Sequence, residues 1–289
     1  MRLPNRTALG ITVMPAVIMV ALCFYGTLLW TVYISFTGSA LLPKYDLVGF
    51  AQYERLFNTP RWWVAVRNMF ILGFLGITVA MCFGTFLAIL VDQKVRAEGV
   101  FRTAFLYPQA LSFIVTGLAW QWFLNPQMGF QNFMIGLGFE NFRFDWIVDR
   151  DRAIYTIAIA LIWHSSGLVM AMMLAGLRSI DGDVWKAIRI EGIPTWRAYI
   201  SVILPMLRPM IVTNVVMMAI AVVKAYDLVI AMTGGGPGNA TDVPGKFVID
   251  YSFERANIGL ASAAATVMLL IVAVLLGPYF YAETRRSQK

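Results

Sequence analysis

The sequence is short of charge and of the side chains with which soluble enzymes do chemistry. Only 13% of its 289 residues are Asp, Glu, Lys or Arg, while 59% are hydrophobic. A soluble domain carries about a quarter charged residues, so this chain is solvated largely by something other than water, and lipid is the candidate. The one histidine, His164, excludes a histidine-based metal centre. Two cysteines, Cys23 and Cys82, both inside apolar runs, exclude a disulfide framework and a Cys-rich metal site. A nucleotide site is missing as well. Gly245-Lys246 has the letters of a phosphate loop, but Ala240 and Phe247 stand where that loop needs Gly and Ser/Thr. His164-Ser165-Ser166 has no acidic partner nearby in sequence and makes no hydrolytic triad. Asn239-Ala-Thr241 spells a glycosylation acceptor, a motif too short to carry weight alone.

What is present is a set of long apolar runs. Six are long enough to cross a bilayer: 9–36, 68–91, 103–124, 153–177, 209–232 and 256–282. Runs of this length predict helices, which satisfy their own backbone hydrogen bonds in lipid. The expectation is an all-α membrane protein of six transmembrane helices forming one domain over 1–289. The first run follows a basic tail, Met1 to Arg6, and is too long for a signal-peptide core, so it reads as an uncleaved first span. Pro15 and Pro108 fall inside runs, as membrane helices tolerate. Ala80, Gly84 and Ala88 recur at four-residue spacing and would suit a close helix contact.

Orientation follows from the basic residues. Lys and Arg number thirteen in 1–8, 92–102, 178–208 and 283–289, against nine in the longer segments 37–67, 125–152 and 233–255. The latter also carry nine acidic residues and are neutral. The bias predicts that both termini are cytoplasmic.

The inner segment 178–208 is the most informative. Residues 183–191 can form a short helix with Val184, Ala187, Ile188 and Glu191 on one face, flanked by Lys186 and Arg189. Gly192 is placed to end it, and Pro194 blocks continuation. A second helical stretch runs to Leu204-Pro205 and on to Pro209. A short helix tethered between two spans would suit transmission of motion from a cytoplasmic partner.

This stretch resembles the EAA loop of ABC importer permeases, whose pattern is E-A-A-x3-G-x9-I-x-L-P. Its positions fall on Lys186, Ala187, Ile188, Gly192, Val202, Leu204 and Pro205 without insertion or deletion. Lys186 and Ile188 depart from the family's Glu and Ala, which bears on any salt bridge that Glu makes to an ATPase. Further segments are similar to carbohydrate permeases: Phe50 to Phe57, Phe101 to Pro108, and Lys224 to Gly238 with its glycine turn. The last resembles the maltose and glycerol-phosphate group, and the continuation to Val267 resembles glucose-type members. The resemblance implies a type I ABC importer permease fold in the bacterial inner (plasma) membrane. It implies a homologous second permease subunit, an ATPase subunit dimer that binds ATP-Mg, and a periplasmic sugar-binding protein. This chain would bind no cofactor and no nucleic acid; membrane lipid and a sugar substrate would be its other contacts. The rival expectation is a stand-alone secondary transporter or channel, which would move solute without an ATPase.

Candidates for the substrate path are few. Lys224 and Asp227 are the charged residues well inside a span, where a charge costs on the order of 3 kcal/mol. Three residues apart on a helix they would share a face and partly neutralise each other; a structural pair, a pairing with the sister subunit and a sugar contact are all compatible. Lys224 would lie about 12 Å below the outer end of its span, with Asn214 deeper on the same helix and Tyr226 beside the pair. Trp120, Trp122 and Trp163 carry flat apolar faces on which a sugar ring could stack, with interfacial anchoring the alternative, above all for Trp122. Trp163 is too deep for an interfacial belt, and His164 beside it reads as a buried, hydrogen-bonded histidine.

Overall fold

The computed structural model describes residues 6–93 and 96–287; most of the basic tail, and Lys94 of the segment 92–102, lie outside the described residues. Among the described residues the chain is helical, with one isolated bridge between Thr37 and Leu47 and no strand. The helices are α1 Arg6–Ala21, α2 Thr27–Ile34, α3 Ala51–Phe57, α4 Pro60–Asp92, α5 Glu98–Ala110, α6 Phe113–Phe123, α7 Phe130–Gly136 and α8 Ala153–Arg178. There follow α9 Gly182–Ile190, α10 Thr195–Ala198, α11 Leu204–Met206, α12 Arg208–Val223, α13 Tyr226–Thr233, α14 Pro244–Ile249 and α15 Ile258–Ser287. Packing divides the chain into two units, one of Met1–Trp62 with Phe247–Lys289 and one of Trp63–Lys246.

Four stretches are long and apolar enough to cross a bilayer: Val13–Ile34, Pro60–Asp92, Ala153–Arg178 and Ile258–Leu275. The pair Thr195–Met206 and Arg208–Val223, bent by 71°, makes a fifth if counted as one. Two expected runs are interrupted. The run 103–124 is two helices, because Leu111 and Ser112 are extended (ψ 148° and 157°) and the Ser112 hydroxyl caps α6 by accepting from the Val115 N–H. Pro108, which lacks an N–H and crowds the preceding turn, weakens the helix just before that break. Pro15, by contrast, sits inside an unbroken α1. The run 209–232 breaks at Lys224, where ψ is 3°, and resumes at Tyr226 as α13.

In the first unit, α2 and α3 pack against α15. Gly259 makes that approach possible, since a Cβ there would lie 2.7 Å from the Thr37 carbonyl and 2.9 Å from Gln52 Nε2. Gln52 donates to that carbonyl, and the Gly259 N–H donates to Ser39 O at 3.0 Å. Arg61 and Asp250 form a largely buried ion pair, with the guanidinium also 5.9 Å from the Phe247 ring centre. Two buried charges are stable only when paired this closely.

The second unit is built on α4 and α8. Its core joins Ala80, Leu87, Ala88 and Val91 of α4 to Val169, Met170, Met173, Leu174 and Leu177 of α8. The small-residue face acts as expected. A Cβ on Gly84 would stand 2.6 Å from Val169 Cβ and 2.8 Å from the Ser166 carbonyl. Two further glycines allow closer approaches. A Cβ on Gly167 would run into the backbone carbonyl of Phe105 in α5, and one on Gly117 of α6 would stand 2.5 Å from Ala231 Cβ in α13. At the end of α13, Gly234, Gly235 and Gly238 all take positive φ. Asn68 Nδ2 donates to the carbonyls of Ala240 and Asp242, both at 2.8 Å, pinning this turn to α4. Lys246, the apparent phosphate-loop lysine, is buried beside Asp242 at 4.0 Å.

Candidate functional site

Within the segment 178–208, residues Gly182–Ile190 fold as a capped helix laid on the core. Asp181 caps α9 by accepting from the Asp183 N–H at 3.0 Å. At the other end Gly192 takes φ 65°, its N–H donates to Arg189 O, and the Ile193 N–H reaches back to Ile188 O, both at 3.2 Å. These two bonds close the left-handed helix stop that glycine favours.

The four residues expected on one face divide between the core and the surface. Ile188 is buried, and Val184 and Trp185 pack beside it with Ile193, Tyr199, Val202 and Ile203 against α4 and α8. Ala187 and Glu191, expected on the same face, are exposed together with Lys186. The reason is the size of Trp185: once it joins the core, the buried stripe rotates toward 184–185–188 and carries Ala187 and Glu191 outward. Ile188, where the EAA pattern has Ala, therefore fills this chain's own core. Lys186, where the pattern has Glu, bonds Asp183 at 2.8 Å. Also exposed are Ile190 at the end of α9, at 85%, and Trp196 in α10, at 67%. Leaving an isoleucine in water forgoes about 2 kcal/mol of burial, so a patch of this kind reads as an interaction surface.

Behind α9, Tyr199 opens a π-helical turn over Tyr199–Ile203, in which the Leu204 N–H reaches back to Tyr199 O. Pro205 follows and can donate nothing, so the widened turn sits where the regular ladder would have lost a donor. The Tyr199 ring meets Trp185 edge-on at 5.6 Å, and its hydroxyl accepts from Gln93 Nε2 at 3.2 Å. One residue earlier, Asp92 ends α4 and pairs with Arg178 at 3.6 Å. Arg178 also holds Glu98, the first residue of α5, at 2.9 Å. That hydrogen bond, above all other influences, keeps the Glu98 carboxyl below its ordinary 4.5. Sequence reasoning missed this group. Its members are charges at the ends of apolar runs, a visible signal, but which ends meet is a property of the fold.

The substrate-path candidates lie in the same unit. His164 is buried and its Nδ1 lies 3.2 Å from the Thr116 hydroxyl, with the Phe113 ring tilted against it at 4.5 Å. It is a hydrogen-bonded interior histidine. Trp163 and Trp120 meet edge-on at 5.9 Å, Trp163 being 38% exposed, whereas Trp122 is fully outward. Lys224 and Asp227 are both exposed, and among the described residues neither has an ion-pair partner. They form no direct ion pair, and the break at Lys224 interrupts the helix between them. Tyr226 is half-buried, with its Cβ 3.3 Å from where a Gly245 Cβ would lie. Asn214 is fully buried; its amide donates to Met210 O at 3.0 Å, and its Oδ1 has no hydrogen-bond partner among the described residues.

Apolar helices long enough to span a bilayer, with a capped amphipathic helix between two of them, are the make-up of an integral membrane protein. The chain belongs to the family of binding-protein-dependent transport system inner membrane components, whose model matches residues 54–287. It is 36% identical over 282 residues to a probable ABC transporter permease protein of Pyrococcus horikoshii, covering 97% of each chain. It is 30% identical to the xylose/arabinose import permease protein of Haloferax volcanii, covering 93% of this chain and 86% of that one. With the permease protein of the trehalose/maltose transport system of Thermococcus litoralis the identity is 25% over 80% of this chain and 78% of that one. The fold matches that of a bacterial ABC transporter involved in alginate import with a TM-score of 0.81, over 98% of this chain and 96% of that one, at 19% identity.

Proposed function

We propose that the chain is one permease subunit of an ATP-driven sugar importer, spanning the membrane six times with both termini in the cytoplasm. On this reading α5 with α6 is a broken third span and α12 with α13 a broken fifth. Relatives named for xylose and arabinose, trehalose and maltose, and lactose support a sugar as solute. The closely matched sequences include archaeal ones, so the resemblance to bacterial permeases does not fix the host. A second permease would complete the pathway, a separate ATPase dimer would bind ATP-Mg, and an external binding protein would deliver the solute. This chain contributes no nucleotide site of its own.

One observation carries the coupling role: α9 buries Ile188 and packs Val184 and Trp185 against the core while leaving Ile190 out in water, with Trp196 of α10 exposed beyond it. An apolar face kept exposed by an otherwise well-packed helix is a docking face, and an ATPase moving against it would push on the spans. Exposed Trp163 with Trp120, and the unpaired Lys224 and Asp227, are the groups proposed to meet the solute, by stacking on its ring and bonding its hydroxyls. The test is Ile190→Asp in the complete importer, assayed in vesicles. Folding of the subunit should be unchanged, whereas association with the ATPase and uptake should both fall at least tenfold. Full uptake would remove the assignment of this surface.

A further inference from the structure

A docking helix does work only if its displacement reaches the spans, and the backbone leaving α9 is poorly suited to carry it. The chain turns through left-handed Gly192 and the non-helical Pro194 before α10 begins. A glycine turn is the soft part of a main chain. The push must therefore travel through side chains. The aliphatic contacts of Ile188 hold α9 down, but apolar burial is non-directional and tolerates sliding. Tyr199 is different. It is 8% exposed, its ring bears on Trp185 of α9, and its hydroxyl is hydrogen-bonded to Gln93, the residue that follows α4. Hydrogen bonds weaken steeply when misaligned, so this contact resists rotation where the aliphatic ones do not. Gln93 adjoins Asp92, and Asp92 and Glu98 are both gripped by Arg178. The last residue of α4, the first of α5 and the last of α8 are thus tied at one point, and Tyr199 joins that point to the docking helix.

We propose that Tyr199, held between Trp185 and Gln93, is the positioning residue through which movement of α9 is delivered to the inner ends of α4, α5 and α8. The proposal rests on the docking role of α9 and goes beyond it, since neither Tyr199 nor Gln93 belongs to the recognised loop pattern. Tyr199 touches neither solute nor nucleotide. Its effect is on how much transport each round of ATP hydrolysis yields.

The experiment uses the whole importer in proteoliposomes and reads solute moved per ATP hydrolysed. Tyr199→Phe keeps the ring and its contact with Trp185 and removes only the hydroxyl. The ratio should fall about fivefold, the worth of one neutral hydrogen bond, with ATPase activity and assembly retained. Gln93→Leu should give the same fall. Because the two residues act through a single bond, the double variant should be no worse than either alone. Thermal unfolding of each variant is followed in parallel; a merely structural Tyr199 would lower the midpoint and leave the ratio unchanged. An unchanged ratio in Tyr199→Phe, or losses that multiply in the double variant, overturns the proposal. Ile190→Asp is run alongside. If it uncouples while Tyr199→Phe does not, only this inference falls; if it too has no effect, the reading of α9 falls with it.

Discussion

At the scale of single residues, the interior of the second unit is governed by where polar atoms find partners. His164 is the clearest case, because its Nδ1 meets one side-chain oxygen, that of Thr116, across the α6–α8 contact. Thr116→Val keeps the shape and removes that partner, leaving a buried ring nitrogen unbonded. The expected loss is about 1–3 kcal/mol, read as a lower thermal midpoint of the purified subunit in detergent. The lone histidine and its depth were legible in the sequence, and so was its character as an interior hydrogen-bonded group. Its partner was not, since Thr116 lies 48 positions away and nothing local links them. Lys224 and Asp227 teach the converse. Their spacing matched a helical ion pair, but spacing implies contact only where the helix continues, and here it does not.

At the scale of elements, helices whose limits are set by local chemistry were readable and those set by packing were not. The end of α9 at Gly192 follows from one residue's freedom to take positive φ, and the sequence showed it. The face of α9 that turns inward depends on a contest between Trp185 and Ala187 for the core, which periodicity alone does not decide. The 103–124 run is an exception to that rule: it looks continuous by hydropathy, although two local signals, the hydroxyl of Ser112 and the upstream Pro108, divide it. The junction of α4, α5 and α8 gives a prediction in pH. Arg178 holds the Glu98 carboxyl below its ordinary 4.5, so the folded state binds that proton less readily than the unfolded chain. The bridge therefore stabilises fully above the ordinary value and is lost as pH falls through the lowered one. Glu98→Gln should melt below the parent at pH 7, and the gap should close on acidification below 4.5. A gap that stayed constant over that range would show that the ion pair is not its source.

At the scale of the whole chain, composition gave the class. A membrane chain of few charges, with the basic ones concentrated in alternate loops, has a readable orientation, and the proposed topology makes it testable. With Cys23 and Cys82 replaced by serine, single cysteines at Ile190 and Asn239 probe the two sides, since both positions are exposed. A membrane-impermeant thiol reagent added outside intact cells should label the cysteine at 239 and spare the one at 190. The reverse pattern would turn the topology over. The division into two compact units lay beyond the sequence, because it depends on contacts between the first sixty or so residues and the last forty.

The meeting of Gly167 with the Phe105 carbonyl leaves not even a methyl's clearance between α5 and α8. Two rods that meet backbone to backbone are in direct contact at that point, so a displacement of either is passed to the other. The rod itself ends soon after, where the extended pair Leu111–Ser112 parts α5 from α6.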